Sequence, residues 1–176
     1  DVAKVLKKAV PLFDGGFNFC GLIGNGDAFV MRDAHGIRPS YYYINDDVIV
    51  AASERAAIRT AFNVGENEVK ELMPGNALMV KADGSFSIEQ IVEAKERKAC
   101  SFERIYFSRG SDEKIYRERN ALGYHLSDTV LKAIDYDLKN TIFSFIPNTA
   151  ETAFYGLIKG AEDYLNKIKI ERILSW

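Results

Sequence analysis

The feature that most constrains the fold is residues 28–43, AFVMRDAHGIRPSYYY. The alternating residues at its start and the three consecutive tyrosines at its end are typical of two β-strands. The residues between them have turn chemistry, because Asp33 can cap its own backbone and Gly36 accepts a positive φ. The pattern predicts a strand, a tight turn and a strand, with Asp33 and Arg38 as a partly buried acid–base pair that holds the corner.

Composition predicts a globular chain with a sizeable packed core, since 47% of the 176 residues are apolar and 27% are charged. The net charge of −2, with both signs mixed along the chain, indicates neither a nucleic-acid partner nor an anionic membrane. No apolar run is long enough to span a bilayer, and no signal peptide is visible. Two cysteines make no disulfide framework and favour a reducing, cytoplasmic compartment.

The first half of the chain is predicted to be β-rich and mostly antiparallel. Apolar residues at helical spacing predict a first helix, which Pro11 ends. Four successive strands form a predicted meander, and its turns are rich in asparagine, aspartate and glycine: residues 25–26, 33–36 and 45–47. A short helix over residues 55–62, capped by Ser53, and a hairpin over residues 77–88 follow.

A charged run at residues 93–98 marks a change in composition and predicts a solvated linker. The aromatic residues that follow, over 101–107, predict a short strand or extended segment. A long helix comes next, capped by Ser111 or Asp112. The buried stripe predicted for this helix consists of apolar residues at helical spacing: Ile115, Leu122, Leu126, Val130 and Ile134.

The end of the chain is predicted to be a strand followed by a helix. Residues 141–146, TIFSFI, form a continuous apolar run typical of a strand that is buried on both faces. Asn148 and Glu151 lie three residues apart and favour a capping box at the start of the last helix. Backbone amides that open a helix after a strand can bind an anion, but an ordinary capped helix explains the same residues.

The residues alone predict neither a metal site nor a catalytic residue. The chain has two cysteines and two histidines, and no two of them have metal-ligand spacing: Cys20, His35, Cys100 and His125. Neither histidine has a nucleophile that the sequence can assign to it. Cys20 lies inside an apolar strand, where a thiol is expected to be inert.

Several motifs, in this order, resemble segments of glutamine amidophosphoribosyltransferase. They are Arg32-Asp33-x-x-Gly36-Ile37-Arg38-Pro39, Ala52-Ser53-Glu54, Leu72-x-Pro74-Gly75, Cys100-x-Phe102-Glu103-x-Ile105-Tyr106-Phe107-Ser108-Arg109-x-Ser111-Asp112, Tyr116-x-x-Arg119-x-x-Leu122-Gly123 and Ile146-Pro147-Asn148-Thr149-Ala150. The first motif resembles other class II amidotransferases as well, whereas the long motif that starts at Cys100 is specific. The resemblance runs from about Gly15 to the last helix.

The resemblance implies an α+β chain in two parts. Residues 1–97 would be an antiparallel remnant of an N-terminal-nucleophile sandwich, the fold of class II glutamine amidotransferases. Residues 98–176 would be a connector and the helix–strand–helix start of a phosphoribosyltransferase α/β fold. The family transfers ammonia from glutamine to phosphoribosyl pyrophosphate and so makes 5-phosphoribosylamine, at the first committed step of purine biosynthesis.

Two alternatives stay open beside this resemblance. The chain could be a segment of another class II amidotransferase, similar to asparagine synthetase, although the Ser-Gly-Gly-x-Asp-Ser loop of that family's synthetase half does not occur. It could also be a non-catalytic binding module, which the interrupted folds argue against.

The resemblance also implies roles for individual residues. Four residues correspond to the pyrophosphate loop and are expected to bind substrate: Asn148, Thr149, Ala150 and Glu151. Asn148 replaces the acid that is usual in that loop. Tyr106 is expected to face the domain junction rather than solvent, beside the path that ammonia takes. Asp33 and Arg38 are expected to be structural.

The resemblance places the family's cysteine nucleophile upstream and its acidic ribose-phosphate loop downstream of these residues. We therefore expect an excised segment that has no catalytic residue and is inactive alone. Mg²⁺ is expected for the parent enzyme, which is also expected to be a homo-oligomer. Cys100 matches a position that ligates an iron–sulfur cluster in some relatives, but no cofactor is expected in this chain.

Overall fold

The chain was analysed as a computed structural model that describes residues 1–176. It divides into two compact units, Asp1–Glu103 and Arg104–Trp176. The division falls a few residues after the boundary predicted at residue 97, and the assignment of the two parts to domains stays a prediction. The architecture is α+β with antiparallel sheets. None of its helices combines the length and the apolarity needed to cross a membrane.

The first unit contains two helices and two antiparallel sheets. Helix α1, Val2–Ala9, runs into a 3₁₀ turn, Val10–Leu12, and α2 is Arg55–Phe62. The strands are β1 Asn18–Leu22, β2 Ala28–Arg32, β3 Tyr41–Ile44, β4 Ile49–Ala52, β5 Lys70–Glu71, β6 Asn76–Val80 and β7 Phe86–Gln90. One sheet has the order β1-β2-β6-β7 and the other has the order β4-β3-β5.

The predicted turns are confirmed where their chemistry is local. Gly26 has φ +95° and Gly36 has φ +59°, values that glycine adopts without steric cost. At residues 45–47 the Asn45 side chain accepts hydrogen bonds from the amides of Asp47 and Val48, at 3.0 and 2.8 Å. The late hairpin is also confirmed, because Val80 faces Phe86 across the turn between β6 and β7.

The predicted four-strand meander is wrong, since β2 and β3 belong to different sheets. Strand β2 pairs with β1 and β6, and β3 pairs with β4 and β5. Residues 33–40 are therefore a crossing between two sheets and not the turn of a hairpin. The physical reason is the buried guanidinium of Arg32, which binds the carbonyls of this crossing and is described below.

Each sheet has its own apolar core. Ala3 and Leu6 of helix α1 and Val10 of the 3₁₀ turn pack with Met31 of β2 and Met79 of β6. In the second sheet, apolar residues of a strand, a helix and a loop pack together: Tyr43, Ile58 and Val69.

Helix α2 has the predicted bounds, but its N-cap residue is Glu54 and not Ser53. Ser53 thus lies one position too early to cap the helix. Cys20 lies in strand β1, as predicted, but its side chain is exposed, and β1 is an edge strand. Edge strands leave one side of the chain open to solvent, and the apolar run alone does not reveal which strand lies at the edge.

The second unit begins in a π-helical turn, Glu103–Phe107, and continues with two long helices, α3 Glu113–Ala133 and α4 Glu151–Leu174. The predicted strand over residues 101–107 is thus wrong. Its backbone is helical because the Arg119 guanidinium binds the carbonyls of Arg104 and Ser108 from α3, at 2.9 and 2.8 Å. The predicted cap of α3 is confirmed, since the Asp112 carboxylate accepts hydrogen bonds from the first-turn amides.

Helices α3 and α4 pack through glycines. A Cβ atom on Gly123 would lie 1.7 Å from the Ala153 carbonyl oxygen, and one on Gly156 would lie 1.9 Å from the Asn120 carbonyl oxygen. The buried face of α3 follows a spacing of four residues: Ile115, Arg119, Gly123, Ser127 and Leu131. The predicted apolar stripe is wrong at Leu122 and Leu126, which are exposed, because small residues permit the close approach of the helices. Ile115 is buried as predicted, and Val130 and Ile134 are partly buried.

Residues 141–146 do not form the predicted buried strand. The segment has no regular secondary structure, no strand pairs with it in any part of the chain, and Ile142 is 94% exposed. Burial still alternates along the segment, and the Phe145 ring lies 4.9 Å from the Phe154 ring. A strand of this kind requires neighbouring strands for its backbone hydrogen bonds and for both of its faces.

Candidate functional site

The four residues predicted to bind substrate lie together in the turn that opens α4. The Glu151 amide donates a hydrogen bond to the Asn148 carbonyl oxygen at 3.3 Å, and the Phe154 amide donates to the Ala150 carbonyl oxygen at 2.9 Å. Asn148 and Ala150 are exposed, while Thr149 and Glu151 are half-buried. The turn is thus accessible from solvent.

The predicted capping box is wrong. Helix α4 begins at Glu151, and its N-cap residue, Ala150, has no side chain that can cap. The Glu151 carboxylate instead accepts a hydrogen bond of 2.7 Å from the Tyr155 hydroxyl, which raises the pKa of Tyr155. First-turn amides without a side-chain cap can bind an anion, with the positive end of the helix dipole behind them.

Arg119 of α3 and Thr152 of α4 both lie near Gly110, but Arg119 has a structural role. A Cβ atom on Gly110 would lie 3.6 Å from the Thr152 hydroxyl oxygen of α4 and 4.0 Å from a guanidinium nitrogen of Arg119. Burial lowers the pKa of Arg119, whose guanidinium donates to two backbone carbonyls. The Arg119 guanidinium therefore holds residues 104–108 against α3.

The first unit is organised around Arg32, which sequence reasoning did not single out. The Arg32 side chain is 1% exposed, and its guanidinium donates hydrogen bonds to four groups. The guanidinium donates to the carbonyl oxygens of Gly36, Arg38 and Leu72, at 3.1, 3.0 and 2.6 Å. It also donates to the Glu71 carboxylate at 2.8 Å. This single cation therefore joins the crossing between the sheets to strand β5.

Glu71 is shared between two arginines. Besides Arg32, the guanidinium of Arg97 donates to the same carboxylate at 2.6 Å. Burial opposes the ionisation of Glu71, but the hydrogen bonds and charges of Arg32 and Arg97 outweigh it and hold the pKa of Glu71 below its ordinary value. The carboxylate is thus charged at neutral pH and balances the buried guanidinium.

The predicted ion pair between Asp33 and Arg38 is wrong. The buried Asp33 carboxylate accepts hydrogen bonds from the amides of its own turn, His35 at 2.9 Å and Ile37 at 3.1 Å. Arg38 instead forms an ion pair with Glu103. An aspartate can reach amides two and four residues ahead without ordering a long cationic side chain, so the local bonds are favoured over the ion pair.

The charged run at residues 93–98 is exposed, as predicted, but it is bound to the crossing. The amides of Lys95 and Lys98 donate to the carbonyls of Ala34 and His35, at 2.9 and 3.0 Å. The Cys100 amide donates to the Ile37 carbonyl at 2.9 Å. No pattern in the sequence indicates these bonds, because they involve backbone atoms alone.

Tyr106 lies in the π-helical turn, and its side chain is 59% exposed. The ring contacts that of Phe107 edge to face, with centroids 5.3 Å apart. The expectation that Tyr106 is shielded from solvent is therefore wrong within this chain. Its place beside an ammonia path stays a prediction.

The turn at residues 148–151, with the start of α4, can bind an anion, but its side chains support little other chemistry. No group of three or more carboxylate, histidine or cysteine side chains is placed to hold a metal ion. Asn148 and Thr149 supply polar side chains, and Glu151 is engaged with Tyr155. The candidate site is thus the solvent-accessible turn at the start of α4, a helix whose first amides have no side-chain cap.

Comparison with known proteins identifies similar sequences. No protein-family model matches the chain. Amidophosphoribosyltransferase from Synechocystis sp. is 31% identical over 138 residues, which are 74% of this chain and 26% of that protein. The enzymes of the same name from Saccharomyces cerevisiae and Bacillus subtilis are each 26% identical, over 86% of this chain and 31% and 30% of their own lengths.

Solved structures give the same result for the fold. Glutamine phosphoribosylpyrophosphate amidotransferase from B. subtilis, complexed with ADP and GMP, matches 92% of this chain with a TM-score of 0.69 and 22% identity. A structure described as the allosteric regulatory enzyme of purine biosynthesis matches 92% with a TM-score of 0.70 and 22% identity. The chain spans about a third or less of the proteins it matches. The resemblance that its motifs indicated is confirmed.

Proposed function

We propose that this chain, which resembles part of an amidophosphoribosyltransferase, belongs to an enzyme that makes 5-phosphoribosylamine from phosphoribosyl pyrophosphate and glutamine-derived ammonia. The observation that carries the proposal is the similarity of sequence to enzymes of that name, over 67–86% of the chain in the relatives found. Residues 1–97 are proposed to end an N-terminal-nucleophile sandwich. Residues 98–176 are proposed to be the connector and the start of a phosphoribosyltransferase fold.

The proposed substrate contact is the turn at residues 148–151. Its exposed position and the uncapped amides of α4 support binding of a pyrophosphate group. The backbone amides carry this role, because Asn148 brings no charge to the turn. Glutamine and phosphoribosyl pyrophosphate are the proposed small-molecule substrates of the parent enzyme, a homo-oligomer in the cytoplasm.

Neither metal group known from the resemblance fits the residues of this chain. An iron–sulfur cluster usually has four cysteine ligands, whereas the chain has two cysteines, and only Cys100 matches a ligand position. For Mg²⁺, no group of three or more suitable side chains is available. No step of the reaction is therefore assigned to a metal within residues 1–176.

The function is tested with the full-length protein and with residues 1–176 alone. We expect the full-length protein to form 5-phosphoribosylamine from glutamine and phosphoribosyl pyrophosphate. We expect the isolated segment neither to hydrolyse glutamine nor to form phosphoribosylamine from ammonia, because nucleophile and acidic loop are proposed to lie outside it. A full-length protein without activity would refute the function. Turnover by the segment above a heat-killed control would refute the location of the catalytic centres.

A second prediction concerns Tyr106 in the full-length protein. Tyr106→Ala is expected to leave glutamine hydrolysis and ammonia-dependent synthesis largely intact and to lower glutamine-dependent synthesis, because ammonia escapes in transit. A ring with one polar tip suits a boundary of this kind. Phe107→Ala removes the neighbouring ring and serves as the matched control. Equal loss in all three assays would mean that Tyr106 only supports the fold.

A further inference from the structure

Two adjacent residues, Glu103 and Arg104, are fixed to different units of the chain. The buried Glu103 carboxylate accepts from the Arg38 guanidinium, and the Glu103 amide donates to the Cys100 carbonyl at 3.2 Å. Both of these partners belong to the first unit. The chain therefore leaves the first unit at a residue that is held by its side chain and by its backbone.

Arg104 is held on the other side of the same peptide bond. Its guanidinium donates two hydrogen bonds to the Glu118 carboxylate of α3, and this contact lowers the pKa of Glu118. Its carbonyl accepts from the buried guanidinium of Arg119 at 2.9 Å. These partners belong to the second unit. No unanchored residue separates the two attachments.

The segment before Glu103 is attached to the first unit by weaker bonds. We call residues 95–103 the strap. Its amides at Lys95, Lys98 and Cys100 donate to the carbonyls of residues 34, 35 and 37, and the Glu96 carbonyl lies 2.9 Å from His35 Nδ1. Most of the strap's side chains are exposed, and none of its apolar residues is buried. The strap is thus held by backbone hydrogen bonds and ion pairs and not by a core.

We propose that the ion pair between Arg38 and Glu103 is a latch that keeps the strap bound to the rest of the first unit. While the latch is closed, the strap keeps its backbone hydrogen bonds to residues 34–37. When the latch opens, the strap is released as a linker that can extend by roughly 30 Å, at about 3.3 Å for each residue.

The latch lies at the crossing between the sheets. Arg38 lies next to the residues whose carbonyls bind Arg32, and the strap covers residues 34–37. This inference does not depend on the proposed enzymatic function, because it concerns contacts within each unit.

Amide hydrogen exchange of residues 1–176, measured by NMR, tests the latch. In Glu103→Gln and in Arg38→Met, the amides of Lys95, Lys98 and Cys100 should exchange at least about tenfold faster, since the local opening of the strap becomes easier. The amides of Met31 and Leu78 in the core should be unchanged.

Lys81→Met is the matched control. Its pair with Asp27 has side-chain exposures of 48% and 13%, close to the 46% and 10% of Arg38 and Glu103. Unchanged exchange in the strap of both latch variants would overturn the proposal. So would faster exchange throughout the first unit, which would mean that the pair supports the whole fold. Trypsin should cleave after Lys95, Arg97 or Lys98 sooner in the latch variants than in Lys81→Met, and equal cleavage would contradict the release of the strap.

Discussion

Replacing Arg32 by methionine is expected to lower the free energy of unfolding of the first unit by about 3–5 kcal/mol, the range for breaking a buried ion pair. Methionine provides an unbranched apolar side chain in place of the arginine stem, but it can form none of the hydrogen bonds of the guanidinium. The carbonyls of Gly36, Arg38 and Leu72 and the Glu71 carboxylate then lose their shared partner. Urea denaturation, followed by a probe in the first unit, measures the change.

Two further variants provide reference values for the loss of unfolding free energy expected in Arg32→Met. Lys4→Met removes an exposed pair with Asp1, with side-chain exposures of 81% and 54%, and should cost no more than about 1 kcal/mol. Arg32→Lys keeps the charge but cannot reproduce the planar fork of donors, so it should lie between the two. If Arg32→Met unfolds at the same urea concentration as Lys4→Met, the buried guanidinium does not hold the two sheets together.

Replacing Gly156 by alanine is expected to destabilise the pair α3–α4. Alanine normally favours a helix interior over glycine by about 0.8–1 kcal/mol, so propensity alone predicts a stabilised α4. Here a Cβ atom would lie 1.9 Å from the Asn120 carbonyl oxygen and 2.9 Å from the Tyr124 amide nitrogen. Both are backbone atoms and cannot rotate away, so the helices must separate, at a cost of at least about 1–3 kcal/mol.

Thermal unfolding of the second unit, followed by helical circular dichroism, measures the effect of Gly156→Ala. The control is Asn166→Ala at an exposed position of the same helix, where the exchange should be neutral or slightly stabilising. A melting temperature of Gly156→Ala at or above that of Asn166→Ala would show that the two helices do not meet backbone to backbone at this glycine.

Features whose chemistry lies within a few residues could be predicted from the sequence. The turns at residues 25–26 and 45–47 and the cap of α3 by Asp112 are examples, because each depends on one side chain and the adjacent backbone. The bounds of α2 were also predicted, although its capping residue was not. The resemblance of the motifs was likewise readable, and it is confirmed by similar enzymes. The substrate turn at residues 148–151 was proposed from that resemblance alone and stays a prediction.

The residues that hold these elements together became apparent only in the folded structure. Arg32 and Glu71 lie 39 positions apart, so no local sequence pattern links them. The Asp33 carboxylate accepts hydrogen bonds from amides of its own turn and does not pair with Arg38. The face of α3 was missed because glycine gives no apolar signal, although it permits the closest contact. Residues 141–146 have the pattern of a strand, but a strand forms only where another strand supplies hydrogen bonds, and no other part of this chain does so.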